Sequence, residues 1–595
     1  MINTRLELLL SINNVDVNHR YTEQFTAERI TRMWPDWLDG LKKYKTWIVK
    51  GKNSRNYEYG EPRLKGRKKL RILLYIGAFS KENSPGWETG IALGAPLGEL
   101  VQWSDLMAGL FLLGHDISVH REPDSLRLHL NKIHCTPDEW NTYTCADLIF
   151  TDIVGYKQLV RHNIRFSKCK YRILDSYGTE SEFNQRPGGF SGLNLNLQQF
   201  YVFLPHSPDN TFLGFVVEEY KGAPGHQYSE SSKPVALVYG KEASHWHEKI
   251  PLYLKLLSEF FDIHANLPGT VPSNIPHFVQ IHNYRYGKDY LSLMKAAKVF
   301  VGLGRPYEST AALEAIANGV VFLNVRFDPP HNRYRTEPLK DKPTSRDIKC
   351  QHPYIEDYIG EPYSYVVDMD DPTQIRETVK RILSHPVSVG YRTFEFTTTG
   401  YLERINALLE HQNFCNHIDS TLGKNVSHTV GSGRPTSTLP VRVVLAETGV
   451  SCSVACANLR RRQPKLVRNP LRGMDQKNEF PHNLWTGYLY NRYKESLPKT
   501  KVHDWHSLHC APQYFEFINN KASFIKSLNG ASCSEAVISH RAAPYWDVKN
   551  NICFVQGDPL GYDCVRSGRE NDTFRRLCPC RDALPGQTAL SECCL

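Results

Sequence analysis

The chain has 595 residues, 41% of them apolar, 23% charged and 11% aromatic, enough for several domains and too rich in core-forming residues for a disordered or collagenous protein. Its 72 basic and 62 acidic residues leave a net charge of +10, and without a long basic block that balance suits an anionic ligand better than a nucleic acid. No run approaches 18 uninterrupted apolar residues, so no membrane span is predicted in this chain. Residues 1–14 also lack the charged start, apolar middle and cleavage site of a signal peptide.

Residues 20–50 read as an amphipathic helix, with Ile30, Met33, Trp37, Leu38 and Leu41 supplying its apolar side. A polar linker follows and ends in the basic run 65–69. Residues 70–77 form a short apolar run closed by Gly77, as expected of a first buried strand in a parallel sheet. A helical pattern from Leu100 to Leu113 stops at Gly114, and strand-like stretches follow at 115–120, 148–153 and 171–175. This βαβ rhythm restarts at Pro234-Val-Ala-Leu-Val-Tyr-Gly240, with helices at 250–261 and 290–297 and a strand at 298–304. Two such domains in tandem, joined near 218–232, predict a cleft between facing sheets with ligands beyond the carboxyl ends of the strands. The predicted divisions are 1–66, 67–217, 218–414 and 415–595.

The last division is set apart by its cysteines. Eleven of the 15 Cys lie from Cys415 to Cys594, together with the glycosylation acceptors at Asn425 and Asn571, which points to an oxidised, luminal region held by disulfides. The spacings of Cys452/Cys456, Cys578/Cys580 and Cys593/Cys594 do not match the usual C-x2-C of zinc sites. The odd count predicts at least one tail thiol that stays free or pairs outside the tail.

Three local patterns could carry chemistry. In Val301-Gly-Leu-Gly-Arg-Pro-Tyr-Glu308 a strand ends in Gly302 and Gly304 and turns into a helix at 309–319 that bears Glu314. Backbone N–H groups and a helix dipole there suit a diphosphate, although a plain strand-turn-helix corner has the same pattern. Lys342 could bring a cation to it. Glu99 follows a Gly/Pro loop on the first turn of a helix, where a carboxylate is favoured by the dipole and could also accept a proton from an attacking hydroxyl. Asp368-Met-Asp370 spells the D-x-D of metal-dependent sugar-nucleotide enzymes, but it runs into Asp371-Pro372 and reads as a helix cap.

The ordered motifs GAPLGELVQWSDL (94–106), FLLGHDI (111–117), LDSYGTE (174–180), PHSPDNTFLGFVVE (205–218), VGLGRPYE (301–308), ALEAIANG (312–319), KPT (342–344), QHPY (351–354) and CPCRD (578–582) closely resemble the N-acetylglucosaminyltransferase V family. The resemblance implies an α/β chain of GT-B type: two Rossmann-like domains facing a cleft, 67–217 on the acceptor side and 218–414 on the UDP-sugar side, plus a disulfide-stapled C-terminal region. It implies inverting, metal-independent transfer of GlcNAc from UDP-GlcNAc to the 6-hydroxyl of the α-1,6-linked mannose of N-glycans on glycoproteins, in the Golgi lumen. Neither a cofactor nor a nucleic-acid partner is expected.

By the same resemblance Glu99 is the catalytic base, Glu82 and Asp175 are acceptor-site carboxylates, and Glu314 and Lys342 lie by the donor phosphates with Glu308, Gly302 and Gly304 close by. The chain departs from the family in four places. Its acceptor loop 184–193 is shorter, with Phe190 replacing one stacking tryptophan and Leu193 the other; Arg161 stands for an acceptor-site lysine; 458–509 reads as an insertion; and the final C-x-x-C is displaced. The resemblance leads one to expect a membrane anchor and stem that this sequence does not show, so the chain reads as a truncated or incomplete product, of the Golgi lumen or secreted. Two other classes fit parts of the sequence: a glycan-binding homologue that lost turnover, and a secreted basic factor acting through 65–69.

Overall fold

The computed structural model describes residues 2–13, 20–52, 69–83, 90–91, 97–188, 191–224, 233–240, 243–267, 269, 271–415, 442–461, 508–528, 532–558, 561–567 and 573–582. Asn425, Asn571, Phe190, Cys593, Cys594, the basic run 65–68, the loop 92–96 and most of 458–509 lie outside the described residues.

Three sheets organise the chain. The first contains β1 (Arg71–Tyr75), β2 (Asp116–His120), β3 (Leu148–Asp152), β4 (Tyr171–Leu174), β5 (Phe200–Val202) and β6 (Thr211–Phe212), in the order β2-β1-β3-β4-β5-β6. The second contains β7 (Val235–Tyr239), β8 (Asp262–Asn266), β9 (Gln280–His282), β10 (Val299–Gly302), β11 (Val321–His331), β12 (Ile348–Cys350) and β13 (Ser364–Val367). The third contains β14 (Arg442–Leu445), β15 (Leu508–Cys510), β16 (Ser534–Ile538), β17 (Tyr545–Asp547), β18 (Ile552–Gln556) and β19 (Phe574–Asp582). By packing, the chain divides into two compact units, one of Met1–Leu41, Leu73–His134 and Phe215–Tyr401, the other of Lys42–Ile72, Cys135–Gly214 and Leu402–Leu595.

In the first unit, β7, β8, β9, β10, β11 and β13 pair in parallel, and only β12 joins antiparallel, on β11. The spatial order β9-β8-β7-β10-β11-β13 is the 3-2-1-4-5-6 order of nucleotide-binding sheets. Every residue of β7 and β10 is buried, which explains why these strands are continuous apolar runs rather than alternating ones. Helices Ile250–Ser258 and Pro372–Ser384 cover the sheet through Tyr253, Leu254, Leu257, Ile375, Val379 and Ile382. The long helix Arg20–Lys52 buries Ile30, Met33, Trp37 and Leu41, the residues that marked its apolar side.

In the first two sheets the sequence reading did not place β5, β6, β8, β9, β11 or β12. Pro329 and Pro330 argue against a strand at 321–331, yet they fall beyond Val321–Val325, where the parallel ladders to β10 and β13 run, in a stretch whose register to β12 is interrupted between Arg326 and His331.

In the second unit, β3 to β6 pair in parallel, with Ile149 opposite Tyr171 and Leu174 opposite Tyr201. The third sheet, ordered β14-β19-β17-β18-β16 with β15 also on β19, surrounds a small core in which cystines replace much of the usual aliphatic packing. Cys452–Cys578 and Cys456–Cys580 bind helix Cys452–Arg461 to β19, and Cys510–Cys564 and Cys533–Cys553 close two further loops. Cys169–Cys415 takes a tail cysteine outside the tail, one of the two outcomes the odd count allows, and Cys135–Cys145 closes a short loop. Beside Cys169, buried Arg172 donates to the carbonyls of Cys169, Tyr171 and Gln412 at 2.9–3.0 Å.

Candidate functional site

A cavity in the first unit opens where the strand order of the second sheet reverses, between β7 and β10. Val238, Tyr239 and Gly240 line it at the carboxyl end of β7, Asn266 at the end of β8, and Tyr284, Tyr286 and Tyr290 on the segment after β9. Ser309, Thr310, Ala311 and Glu314 bring the start of helix Thr310–Ala317 to the same wall, and Leu97, Gly98 and Val101 bring the first turn of helix Leu97–Leu112. A crevice at the switch point of an open parallel sheet is where nucleotides bind in such folds.

Glu99 sits in the first turn of helix Leu97–Leu112, between the lining residues Gly98 and Val101 and partly exposed. None of the described residues hydrogen-bonds to it or forms an ion pair with it. Of the Gly/Pro loop that precedes it, Gly94 and Pro96 fall in the undescribed 92–96.

At the donor-side loop, Gly302 ends β10 in a place where a Cβ would lie 2.7 Å from the carbonyl oxygen of Leu323. Gly304 has φ +84°, a conformation that glycine adopts without strain. The amide of Gly304 donates to Oε1 of Gln351 at 2.9 Å, and the amide of Glu308 to the Gln351 carbonyl at 2.9 Å. Those two amides are therefore occupied, and the anion-seeking N–H groups on the cavity are those that begin helix Thr310–Ala317, whose N-cap Ser309 makes no side-chain cap. Glu308 is held by Arg346 through two hydrogen bonds of 3.0 and 2.7 Å. Lys342 lies half-buried in the turn after Glu337–Leu339, and neither it nor Glu308 is among the residues lining this cavity.

Glu82 is exposed in the turn after Gly77–Phe79. Asp175 and Arg161 belong to the second unit: Asp175 is buried and accepts from the Thr179 hydroxyl at 2.6 Å and the Tyr177 amide at 3.2 Å, while Arg161 ends helix Ile153–Arg161, exposed. The D-x-D acids are engaged otherwise: Oδ1 of Asp368 accepts the Asp370 amide, Asp370 pairs with Lys249 at 2.6 Å, and Asp371 caps helix Pro372–Ser384 by accepting from Thr373 and Gln374.

Sequence reasoning missed the charged cluster behind the cavity. Arg29, fully buried, donates to Asp105 at 3.1 and 3.0 Å and to the Val216 carbonyl at 2.7 Å, and reaches Oε2 of Glu218 at 3.4 Å and Oε1 of Glu314 at 3.8 Å. Arg32 forms a second fork on Glu218 at 2.6 and 3.0 Å. The Tyr286 hydroxyl donates to Glu314 at 2.8 Å. Burial pushes the Glu314 carboxyl up to about 7, opposed by Arg29 and reinforced by Glu218, and its Oε2 has no hydrogen-bond partner. Burial also raises Asp105, against the pull of Arg29. One signal was available in the sequence: Arg29 precedes Met33 and Trp37 at four-residue steps, so a cation occupies the apolar stripe of its helix.

A family model, glycosyltransferase family 18, matches residues 2–467 and 492–580. Alpha-1,6-mannosylglycoprotein 6-beta-N-acetylglucosaminyltransferase A of Homo sapiens is 34% identical over 582 residues, covering 95% of this chain and 68% of that one. The B enzyme of Mus musculus is 31% identical, over 89% of this chain and 65% of that one, and the Caenorhabditis elegans enzyme 30% identical, over 96% and 77%. Among solved structures, the kitacinnamycin glycosyltransferase (12% identity, 58% of this chain and all of that one, TM-score 0.30) and the calicheamicin glycosyltransferase (14%, 60% and 98%, TM-score 0.26) are similar too weakly to carry an argument.

Proposed function

Since this chain belongs to glycosyltransferase family 18, we propose that it moves GlcNAc from UDP-GlcNAc to the 6-hydroxyl of the α-1,6-linked mannose of N-glycans on glycoproteins, making the β-1,6 branch. The observation that carries this reading is the cavity at the β7/β10 switch point, on which the start of the Glu314 helix and the turn bearing Glu99 meet.

In this mechanism Glu99 accepts the proton of the attacking 6-hydroxyl as its oxygen bonds to C1 of GlcNAc, and UDP leaves from the opposite face, so that the β-linked product is inverted relative to the donor. The N–H groups and dipole at the start of helix Thr310–Ala317, together with the Lys342 ammonium, take up the charge of the departing diphosphate, a task that metal ions serve in other sugar-nucleotide enzymes. No metal is required. Glu82, Asp175, Arg161 and Phe190 bind the acceptor, with Phe190 as the apolar platform for a sugar face. We read the chain as of GT-B type, and the six disulfides among the described residues suit work in an oxidising lumen, that of the Golgi. Among the described residues no helix is long and apolar enough to cross a membrane.

The test is transfer by purified protein from UDP-GlcNAc to a panel of defined N-glycans, with linkage analysis of the product. A β-1,6-linked GlcNAc on the α-1,6 arm supports the assignment; glycan binding without product overturns it in favour of a lectin-like homologue.

A further inference from the structure

Arg29 stands at a junction of three parts of the cavity wall. Its guanidinium forks onto Asp105, six residues beyond Glu99 on helix Leu97–Leu112, at 3.1 and 3.0 Å, and a nitrogen of the same group lies 3.8 Å from Glu314 on helix Thr310–Ala317. It also reaches Tyr286, a lining residue, at 3.4 Å. Val216 closes the junction from behind: its amide donates to Asp105 at 2.8 Å and its carbonyl accepts from Arg29 at 2.7 Å. A planar fork bound on both prongs fixes direction as well as distance.

We propose that Arg29 is a positioning residue for the transfer: it holds the helix that carries Glu99 in register with the Glu314 wall of the donor cavity and keeps the charge of that wall in balance. This inference rests on the transferase reading. The charge count supports it. Arg29 and Arg32 supply two positive charges to three buried carboxyl groups, Asp105, Glu218 and Glu314, so the cluster is neutral when one carboxyl is protonated. Glu314, with an unpartnered Oε2 and a raised pKa of about 7, is the one that holds the proton. The groups facing it are Arg29, Arg32, Glu218, Tyr286 and Tyr290. An ionised Glu314 on the cavity wall repels a diphosphate, so donor affinity should fall as pH rises through about 7.

The experiment compares wild type with Arg29→Gln and Arg29→Lys, using UDP-GlcNAc as the probe because its diphosphate diester does not titrate in this range. Calorimetric affinity is measured from pH 6 to pH 8.5, near-UV circular dichroism reports folding, and kcat and acceptor KM are measured with the N-glycan. Loss of the positive charge in Arg29→Gln should move the midpoint of donor affinity up by at least about one pH unit. Arg29→Lys, which keeps the charge, should restore the midpoint. Neither restores the fork, so both should lose about tenfold or more in kcat with acceptor KM unchanged.

A folded Arg29→Gln with the wild-type midpoint and kcat overturns the proposal. If Arg29→Gln does not fold, Arg29→Lys decides: lowered kcat in a natively folded protein supports the positioning role, and unchanged kcat overturns it. The binding profile needs no acceptor, so a wild type that binds UDP-GlcNAc with this pH dependence yet forms no β-1,6 product refutes the transferase reading while leaving Arg29 tested.

Discussion

The carboxylate of Asp209 accepts the backbone N–H of Cys564 on both oxygens, at 2.9 and 3.1 Å, which ties the approach to β6 to the cystine loop closed by Cys510–Cys564. Neighbouring contacts follow the same line. The Ser181 hydroxyl donates to Asp563, the Gln185 amide donates to Asp558 at 3.2 Å, and Glu182 pairs with Arg541 at 3.3 Å and Arg566 at 3.7 Å. Helix Ser181–Gln185, which leads into the shortened acceptor loop, is thus held by residues of the tail.

Asp563→Ala removes the partner of a buried serine hydroxyl and should cost about 2 kcal/mol of stability. If the tail also supports acceptor binding, the variant should raise acceptor KM several-fold while UDP-GlcNAc affinity stays at the wild-type value. Thermal melts and acceptor titration measure both quantities. A lowered Tm with unchanged KM would make this part of the tail a stability cap alone.

Glu99→Gln keeps the shape of the side chain and removes its basicity. Its kcat should fall by about 10²–10⁴, with UDP-GlcNAc and acceptor binding intact. Normal turnover by a variant confirmed as Gln by mass spectrometry would take Glu99 out of the mechanism.

Transfer should continue in EDTA and gain nothing from manganese, because Asp370 is paired with Lys249 and Asp371 with the helix start. Lys342→Ala should weaken donor use whether or not a divalent ion is present. Loss of activity in chelator with recovery on adding manganese would return Asp368 and Asp370 to candidacy as ligands.

Glu314→Gln should change how stability depends on pH. The Glu314 pKa is raised from 4.5 to about 7 by burial, so the folded state binds this proton more tightly than the unfolded chain. The stabilising contribution is fully present below pH 4.5 and is lost as pH rises through about 7. Over that window wild type should lose on the order of 3 kcal/mol relative to Glu314→Gln. Denaturant melts of both proteins at several pH values, read as a difference, cancel the other raised carboxyls, Asp105 and Asp209. Parallel pH curves would show that Glu314 does not carry this proton.

Non-reducing peptide mapping should find the Cys169–Cys415 link and the four bonds within the tail. Cys350 is a buried free thiol, hydrogen-bonded to Glu356 and raised in pKa by burial, so it should alkylate only after unfolding. Active protein with all its tail thiols free would refute the disulfide framework, and labelling of native Cys350 would refute its burial.

Much of the architecture could be read along the chain, because apolar runs, glycine stops and caps act over a few residues. The runs at 70–77, 234–240 and 298–304 yielded β1, β7 and β10, the Ile30/Met33/Trp37 pattern yielded the long helix, and Asp371-Pro372 yielded a helix cap. The motif at 301–319 also marked the helix whose start borders the cavity. Partnerships across distance were not legible. Gln351 takes the amide of Gly304, 47 residues earlier, and Arg29 meets Asp105 76 residues away and Glu218 189 residues away. The sequence determined the helices and strands that carry these groups and, through an odd number of tail cysteines, that at least one stays free or pairs outside the tail. Only the tertiary structure decided that Cys415 meets Cys169 and that Arg29 meets three carboxylates, because desolvation and pairing depend on which distant segments share a buried volume.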